Sequence, residues 1–152
     1  MLEEKKQIIT RLRDAKKAHR RWVSNAQILM QGVPVKNDQI PLNETECGFG
    51  RWYYGEGQAL RKYALYKAIE QPHTALHNTY LQIFNLLFRE RKVSLFGRLL
   101  GKKAEPSQAE LEEAKRLFVL LNAESLKITS LLDELEELIM GMDEKDFRLL
   151  FH

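Results

Sequence analysis

The chain has 152 residues, of which 44% are hydrophobic and 30% charged, the balance of a globular protein with a sizeable core rather than of a disordered one. No apolar run is long enough to cross a bilayer and the acidic start does not resemble a signal peptide, so a cytoplasmic protein without membrane insertion is expected. Residues 1–103 carry 19 basic against 9 acidic side chains, and residues 104–152 carry 5 against 12. Because these segments can neutralise each other by packing together, and no groove-reading motif is present, nucleic-acid binding is not expected.

The first half of the chain predicts two helical segments. Apolar residues spaced three and four apart predict a helix from about residue 3 to about residue 31, with His19 on its apolar stripe. A second helical segment is predicted over about 44–70, after a capping box formed by Asn43 and Glu46 and with an interruption at a pair of glycines.

The second half predicts two further helices. Pro72 suits the first turn of a helix that continues to about Arg91. Residues 89–107 form a basic linker, and an unbroken apolar seam predicts a last helix over about 107–140. No strand-like alternation competes with these helices. The sequence therefore predicts an all-α fold, an antiparallel four-helix bundle with a short extra helical turn, in one domain covering 1–152.

Three of the four histidines fall on predicted inward faces, and they indicate a metal site. His73 and His77 are four residues apart, which places both imidazoles on one helical face. His19 lies on the apolar stripe of another helix. Cys47, the only cysteine, falls in the first turns of a third, where the helix dipole favours a thiolate. Together they would supply a tetrahedral set for zinc, although each residue alone could also be a hydrogen-bonded or apolar core residue.

Three short motifs resemble a known family. They are His19-Arg20-Arg21-Trp22, Cys47-Gly48-Phe49-Gly50-Arg51-Trp52 and Pro72-His73-Thr74-Ala75-Leu76-His77. The sequence resembles the chemoreceptor zinc-binding (CZB) domain family, whose pattern is His-x-x-Trp, Cys-x-Phe/Leu-Gly-x-Trp and His-x-x-x-His in that order. The resemblance covers roughly residues 10–90.

This resemblance implies a helical bundle, commonly a homodimer, that binds one Zn²⁺ per chain. The implied zinc ligands are His19, Cys47, His73 and His77. Trp22 and Trp52 are expected to pack near the metal, and Gly50 is expected to permit a close helix approach. In the family, the zinc-bound cysteine is associated with sensing zinc or oxidants such as hypochlorous acid, and a linked chemoreceptor or diguanylate cyclase gives the output.

The sequence departs from the family in having no cyclase motif and no long receptor-signalling hairpin. The chain is therefore expected to be either a standalone sensor that acts in trans on a chemoreceptor or a cyclic-di-GMP signalling protein, or an excised or orphan sensor. In both cases it is expected not to be an enzyme. A zinc hydrolase is disfavoured because no acidic residue lies between the paired histidines. A metal-free adaptor or dimerisation module, using the seam over 111–139, stays open as the alternative. The basic, partly apolar stretch 93–103, within the basic segment 89–103, is interpreted as an exposed connection, with contact to a membrane surface or an acidic partner as the other reading.

Overall fold

A computed structural model describes residues 1–89, 94–101 and 105–152 of the chain. Within them the α-helices are α1 (Glu3–Met30), α2 (Gly48–Tyr54), α3 (Ala64–Lys67), α4 (Glu70–Phe88), α5 (Leu95–Leu99), α6 (Gln108–Gly141) and α7 (Glu144–Phe151). Short 3₁₀ helices cover Asn37–Gln39 and Glu56–Leu60. The described residues form no strand, and the predicted all-α bundle is confirmed. No described helix is both long enough and apolar enough to cross a membrane.

The long helix α6 runs antiparallel to α1. Near the start of α1, the ammonium of Lys5 donates to the carbonyl oxygen of Met140 at 2.9 Å, close to the end of α6. Two turns later along α1, the guanidinium of Arg13 meets the carboxylate of Glu136 at 2.6 Å. The basic first helix thus packs beside the acidic last segment, and the opposite charges of the two segments lie together as their sequences predict.

The helices α1 and α4 run parallel to each other, and both pack on α6. His19 of α1 lies beside His73 at the start of α4, and Trp22 lies beside Tyr80 further along. Parallel neighbours require a return segment between them, and residues 31–69 supply it. The parallel arrangement places one histidine of α1 level with the two histidines of α4.

The return segment contains less helix than its sequence pattern predicts. Residues 44–46 form a turn, in which the Asn43 N–H donates weakly to the Glu46 carboxylate at 3.5 Å, and the helix itself begins only at Gly48. Beyond α2, Gly57 lies so close to Trp52 that a Cβ there would meet its carbonyl oxygen at 2.9 Å. The segment therefore folds as several short helices. Close backbone contacts, rather than a continuous apolar stripe, determine its course.

The C-terminal region contains a helix that the sequence pattern does not predict. The predicted last helix is confirmed almost to the residue as α6, but α7 follows it, with Asp143 as N-cap accepting from the Asp146 N–H at 2.7 Å. Phe147 is fully buried, and α7 packs against the 3₁₀ helix Glu56–Leu60. In the predicted linker, residues 94–101 include α5, while 90–93 and 102–104 lie outside the described residues.

Candidate metal centre

Three separate parts of the chain bring the four predicted ligands together. His19 projects from the middle of α1, and His73 and His77 project from the first turns of α4, one turn apart. Cys47 is the N-cap of α2, the residue just before the helix, rather than a residue inside its first turns. The parallel course of α1 and α4 and the turn before α2 thus converge on one point.

The geometry at this point is that of a compact donor cluster. The His19 Nε2 and His73 Nε2 atoms are 3.0 Å apart, and Cys47 Sγ lies 3.4 Å from His73 Nε2. One donor atom from each of the four residues lies within 4.8 Å of the other three. The histidine rings meet edge to face, with centroids 4.8 to 5.8 Å apart. All three imidazoles are buried.

Backbone carbonyl groups fix the orientation of two of the rings. His19 Nδ1 lies 2.7 Å from the carbonyl oxygen of Ala15, and His77 Nδ1 lies 2.8 Å from that of Leu42. A carbonyl oxygen only accepts, so in both rings Nδ1 must carry the proton. In a neutral imidazole the other nitrogen, Nε2, then has a free lone pair. These lone pairs point into the cluster, and carbonyl partners of this kind commonly orient metal-bound histidines.

The cluster contains polar atoms that the protein itself does not satisfy. His77 Nε2 is buried and has no hydrogen-bond partner. An unpaired polar atom of this kind costs free energy unless something supplies the missing interaction. The Nε2 atoms of His19 and His73 face each other. Because Nδ1 of His19 donates to the carbonyl oxygen of Ala15, Nε2 of His19 carries a lone pair. A bound cation would satisfy all of these nitrogens together.

Burial keeps the imidazoles neutral, which is the form that binds metal. Desolvation lowers the pKa of His19 to about 4, with a smaller lowering by His77. Desolvation, together with both neighbouring histidines, lowers the pKa of His73 to about 2. Desolvation also lowers the pKa of His77, against an opposing effect of its bond to Leu42. At neutral pH each ring therefore keeps one nitrogen with a free lone pair, and the bonds to Ala15 and Leu42 place it on Nε2 in His19 and His77.

The thiol of Cys47 behaves differently from what its position at a helix start predicts. Burial raises the pKa of this thiol, and this effect outweighs the backbone N–H groups of Gly50 and Phe49, which lower it. The N–H groups at the helix start do favour the thiolate, as expected, but desolvation of the sulfur outweighs them. The Gly50 N–H does donate to Sγ at 3.2 Å, an interaction that also suits a thiolate. A nearby cation would stabilise the thiolate and so lower the pKa of the Cys47 thiol.

Aromatic side chains pack around the cluster. Phe49 packs edge-on against the rings of His19 and His73, with centroids 6.0 and 5.1 Å away. The Trp22 ring lies 5.0 Å from His77, whereas Trp52 packs on Phe49, one layer further out. The apolar surroundings limit water at the cluster and raise the strength of electrostatic interactions inside it.

Gly50 does permit a close approach, but to a turn and not to another helix. A Cβ at this position would lie 1.7 Å from the carbonyl oxygen of Glu44 and 3.2 Å from the Cα of Thr45. The chain segment that leads into Cys47 therefore packs directly on the backbone of Gly50. This contact sets the position of the sulfur relative to α2.

On its outer side the cluster is reached from a groove along α1. The groove has a volume of about 680 Å³ and extends from Glu3 past Ala15 to Trp22, with Cys47 and Phe49 on its opposite wall. Cys47 is only partly buried, whereas the three histidines are buried. Among the four cluster residues, Cys47 is thus the least buried, and it lines the groove together with His19.

The residues of this cluster fit a metal ion, and their chemistry is that of a zinc site. Imidazole nitrogen and cysteine sulfur are donor types that zinc binds, and the four donors here are close enough together for one tetrahedral ion. The fold and the site thus define a helical-bundle protein whose described residues include a buried Cys-His₃ cluster suited to one metal ion.

The comparisons identify the family. Residues 19–84 match the family model described as CZB, the chemoreceptor zinc-binding domain, and the match contains all four cluster residues. This match confirms, for residues 19–84, the resemblance that the three motifs predict. The family binds zinc and is a signalling and sensory domain rather than a known catalytic one. No curated protein and no solved structure matches the chain significantly.

The sequence did not reveal the carbonyl groups that hold the imidazoles. Ala15 is one helical turn before His19, so the helix that the sequence predicts already brings the two residues together. Leu42 lies 35 residues before His77 along the chain, and only the return of the loop onto α4 brings the two together. No local sequence signal marks that second contact.

Proposed function

We propose that this chain is a zinc-binding sensory or regulatory domain of bacterial signalling type. In this proposal, one zinc ion is held by His19, Cys47, His73 and His77. The observation that carries it is the convergence of three Nε2 atoms and one Sγ atom in a buried cluster where the His77 Nε2 has no other partner. Four protein ligands complete a tetrahedral site, which is typical of structural and sensory zinc rather than of hydrolytic zinc.

Side chains and backbone carbonyl groups contribute to holding the ion in different ways. A bound zinc ion supplies a dipositive charge that favours the thiolate of Cys47 and accepts the lone pairs of the three imidazoles. The carbonyl groups of Ala15 and Leu42 keep two of the rings in the tautomer that binds. Because the ligands come from α1, α4 and the cap of α2, binding holds these three parts of the fold together.

Oxidation of Cys47 is the second input that we propose. A peroxide that enters through the groove along α1 is attacked by the thiolate sulfur. The S–O bond forms as the O–O bond breaks, the sulfur is oxidised to the sulfenic acid, and the other oxygen leaves as hydroxide and takes up a proton to become water. The oxidised sulfur is a poorer ligand, so the start of α2 loses one of the contacts that fix it.

The output side of the proposal follows from the family. We propose a cytoplasmic homodimer that acts in trans on a chemoreceptor or on a cyclic-di-GMP signalling protein. The support for these partners is the family relationship of residues 19–84, whose members are signalling domains. A change at Cys47 would reach such a partner through the packing of the bundle.

Metal content tests the zinc site. Protein purified without a histidine tag and supplied with zinc is measured by elemental mass spectrometry as the wild type, His77→Ala and His152→Ala. We expect about one zinc per chain in the wild type and a sharp reduction in His77→Ala, because that variant loses one of four ligands. His152 is exposed and far from the cluster along the chain, with Glu4 as its partner, so its variant is a matched control that keeps the metal.

Helical content measured by circular dichroism accompanies each variant, so that loss of metal is not confused with loss of fold. Wild-type protein that stays free of metal after zinc is supplied would overturn the proposal. Equal zinc in His77→Ala and the wild type would overturn the ligand assignment. Equal losses in His77→Ala and His152→Ala would point to nonspecific binding by histidine.

A further inference from the structure

The short helix α5 exposes an unusual amount of apolar surface. Leu95 is 80% exposed, Phe96 71%, Leu99 85% and Leu100 60%. Single exposed apolar residues are ordinary on protein surfaces, but four large neighbours form a continuous patch. Patches of this kind mark surfaces that bind something.

The four side chains lie on one side of α5. Their positions i, i+1, i+4 and i+5 span about 140° of a helical turn, with Gly97 and Arg98 on the other side. The helix forms from its own local contacts, since the Ser94 hydroxyl caps it by accepting from the Gly97 N–H at 3.0 Å. Among the described elements, α5 packs extensively against none. The apolar side is therefore presented outward by a small, locally capped unit.

The sequence around α5 is strongly basic. Residues 89–103 contain six basic side chains and a single acidic one, Glu90. Arg89 pairs with Glu110 at the start of α6, and Arg98 lies on α5 itself. Residues 90–93 and 102–104 lie outside the described part of the chain, so only their charges enter here. An apolar face within a cationic segment matches the two chemical layers of an anionic lipid surface, acyl chains beneath phosphate headgroups.

We propose that the segment 94–101 docks on the surface of an anionic lipid bilayer. Leu95, Phe96, Leu99 and Leu100 enter the boundary between headgroups and acyl chains, and the net positive charge of the sequence 89–103 attracts the segment to the phosphates. The segment lies on the bilayer and does not cross it, because α5 has only five residues. A second copy of the chain is a poorer occupant, because pairing α5 with α5 would bring two cationic segments together. The proposal goes beyond zinc binding and does not depend on it.

Vesicle flotation tests the proposal with the full zinc-loaded chain. The vesicles are of phosphatidylcholine alone or contain about one third phosphatidylglycerol, which is anionic. We expect the wild type to float with the anionic vesicles and to bind less as salt rises, because the Debye length shortens. The variant Leu95→Ser/Phe96→Ser/Leu99→Ser/Leu100→Ser should bind at least about tenfold more weakly, because it loses its apolar contact.

A matched control uses exposed apolar residues elsewhere. Val119 and Leu126, on the outer face of α6, are 70% and 72% exposed, and Val119→Ser/Leu126→Ser should bind vesicles like the wild type. The proposal is overturned if the wild type does not bind anionic vesicles, or if both multiple variants bind equally.

Wild-type protein that does not bind vesicles but binds immobilised polyglutamate would assign the surface to an acidic partner instead. A dimer that the α5 variant dissociates in ultracentrifugation, without vesicle binding, would assign it to a second copy. Zinc content stays at the wild-type level in every case, so failure here leaves the metal site unaffected.

Discussion

At the scale of single residues, Cys47 has two tasks that depend on one neighbour. Its sulfur caps α2 by accepting from the Gly50 N–H, and the same sulfur lies in the donor cluster. Gly50 also accommodates the carbonyl oxygen of Glu44 where a side chain would not fit. The position of the ligand sulfur therefore depends on a glycine that touches no metal.

We predict that Gly50→Ala damages the metal centre although it removes no ligand. The added methyl group must push the turn at 44–45 away, because its backbone leaves no room for a Cβ, and Cys47 moves with that turn. We expect a loss of about 1–3 kcal/mol in the free energy of unfolding, the range for overpacking. Zinc affinity, measured by competition with a chromophoric chelator, should fall by about tenfold or more, as for residues that position ligands.

Gly48→Ala is the matched control for this prediction, because it adds the same methyl group to the same helix. A Cβ at Gly48 has no neighbour within 4 Å, and alanine is a better helix former than glycine. This variant should keep both its stability and its zinc affinity. Similar losses in the two variants would show that the helix α2, and not the contact with Glu44, is sensitive to substitution.

Much of the site could be predicted at this scale, because ligand chemistry is carried by side-chain type and spacing. The i,i+4 spacing of His73 and His77 fixes their common face in any helix. What the sequence could not provide is the balance of energies at Cys47. Whether a buried sulfur is a thiol or a thiolate depends on the whole environment, and here desolvation outweighs the helix start.

At the scale of elements, the contact between α1 and α6 is held by a group of charges as well as by apolar packing. The carboxylate of Glu136 on α6 is largely buried and accepts from Arg13 at 2.7 Å and from Lys16 at 3.0 Å. Burial alone would raise the pKa of Glu136, but the two basic side chains lower it below its ordinary value. The ionised form is thus stabilised more in the folded chain than in the unfolded one.

We predict that Glu136→Gln destabilises the protein in a pH-dependent way. Because the folded-state pKa is lowered, the carboxylate contributes its full stability above its ordinary pKa, and this contribution is lost as the pH falls through the folded-state value. Urea unfolding at pH 7 should show a loss of about 1 kcal/mol or more in the variant. The difference from the wild type should shrink at pH 3. Glu137→Gln, at an exposed neighbouring position, is the control, and a difference that does not change with pH would contradict the prediction.

The elements that the sequence predicts best are those with long apolar periodicity. The helices α1, α4 and α6 have such stripes, and each is found within a few residues of its predicted bounds. The return segment was harder to predict, because a contact such as that between Gly57 and Trp52 has no periodic signal. Because Gly141 ends the periodic stripe of α6, the apolar pattern does not predict the helix α7. Its own start signal, Asp143 with Asp146 three residues later, is present in the sequence.

At the scale of the whole molecule, the metal centre and the C-terminal helix are connected through one segment. Residues 47–60 begin at the candidate ligand Cys47 and continue through α2 to the 3₁₀ helix Glu56–Leu60, on which α7 packs. The cluster takes its donors from α1, from α4 and from the cap of α2, and none from α6. Loss of the sulfur as a ligand would therefore loosen this segment and α7 before it loosens the packing of α6 on α1 and α4.

We predict that peroxide treatment of the zinc-loaded protein opens 47–60 and α7 selectively. Hydrogen exchange followed by mass spectrometry should show faster exchange in these peptides after oxidation, and little change in α6, which supplies no ligand. A zinc indicator in the same solution should report release of the metal. Cys47→Ser separates this effect from methionine oxidation, because it keeps every methionine and lacks the thiol, so peroxide should not change its exchange. Faster exchange throughout the three long helices would mean global unfolding instead. Unchanged exchange in 47–60 of the oxidised wild type would mean that Cys47 does not act as the switch.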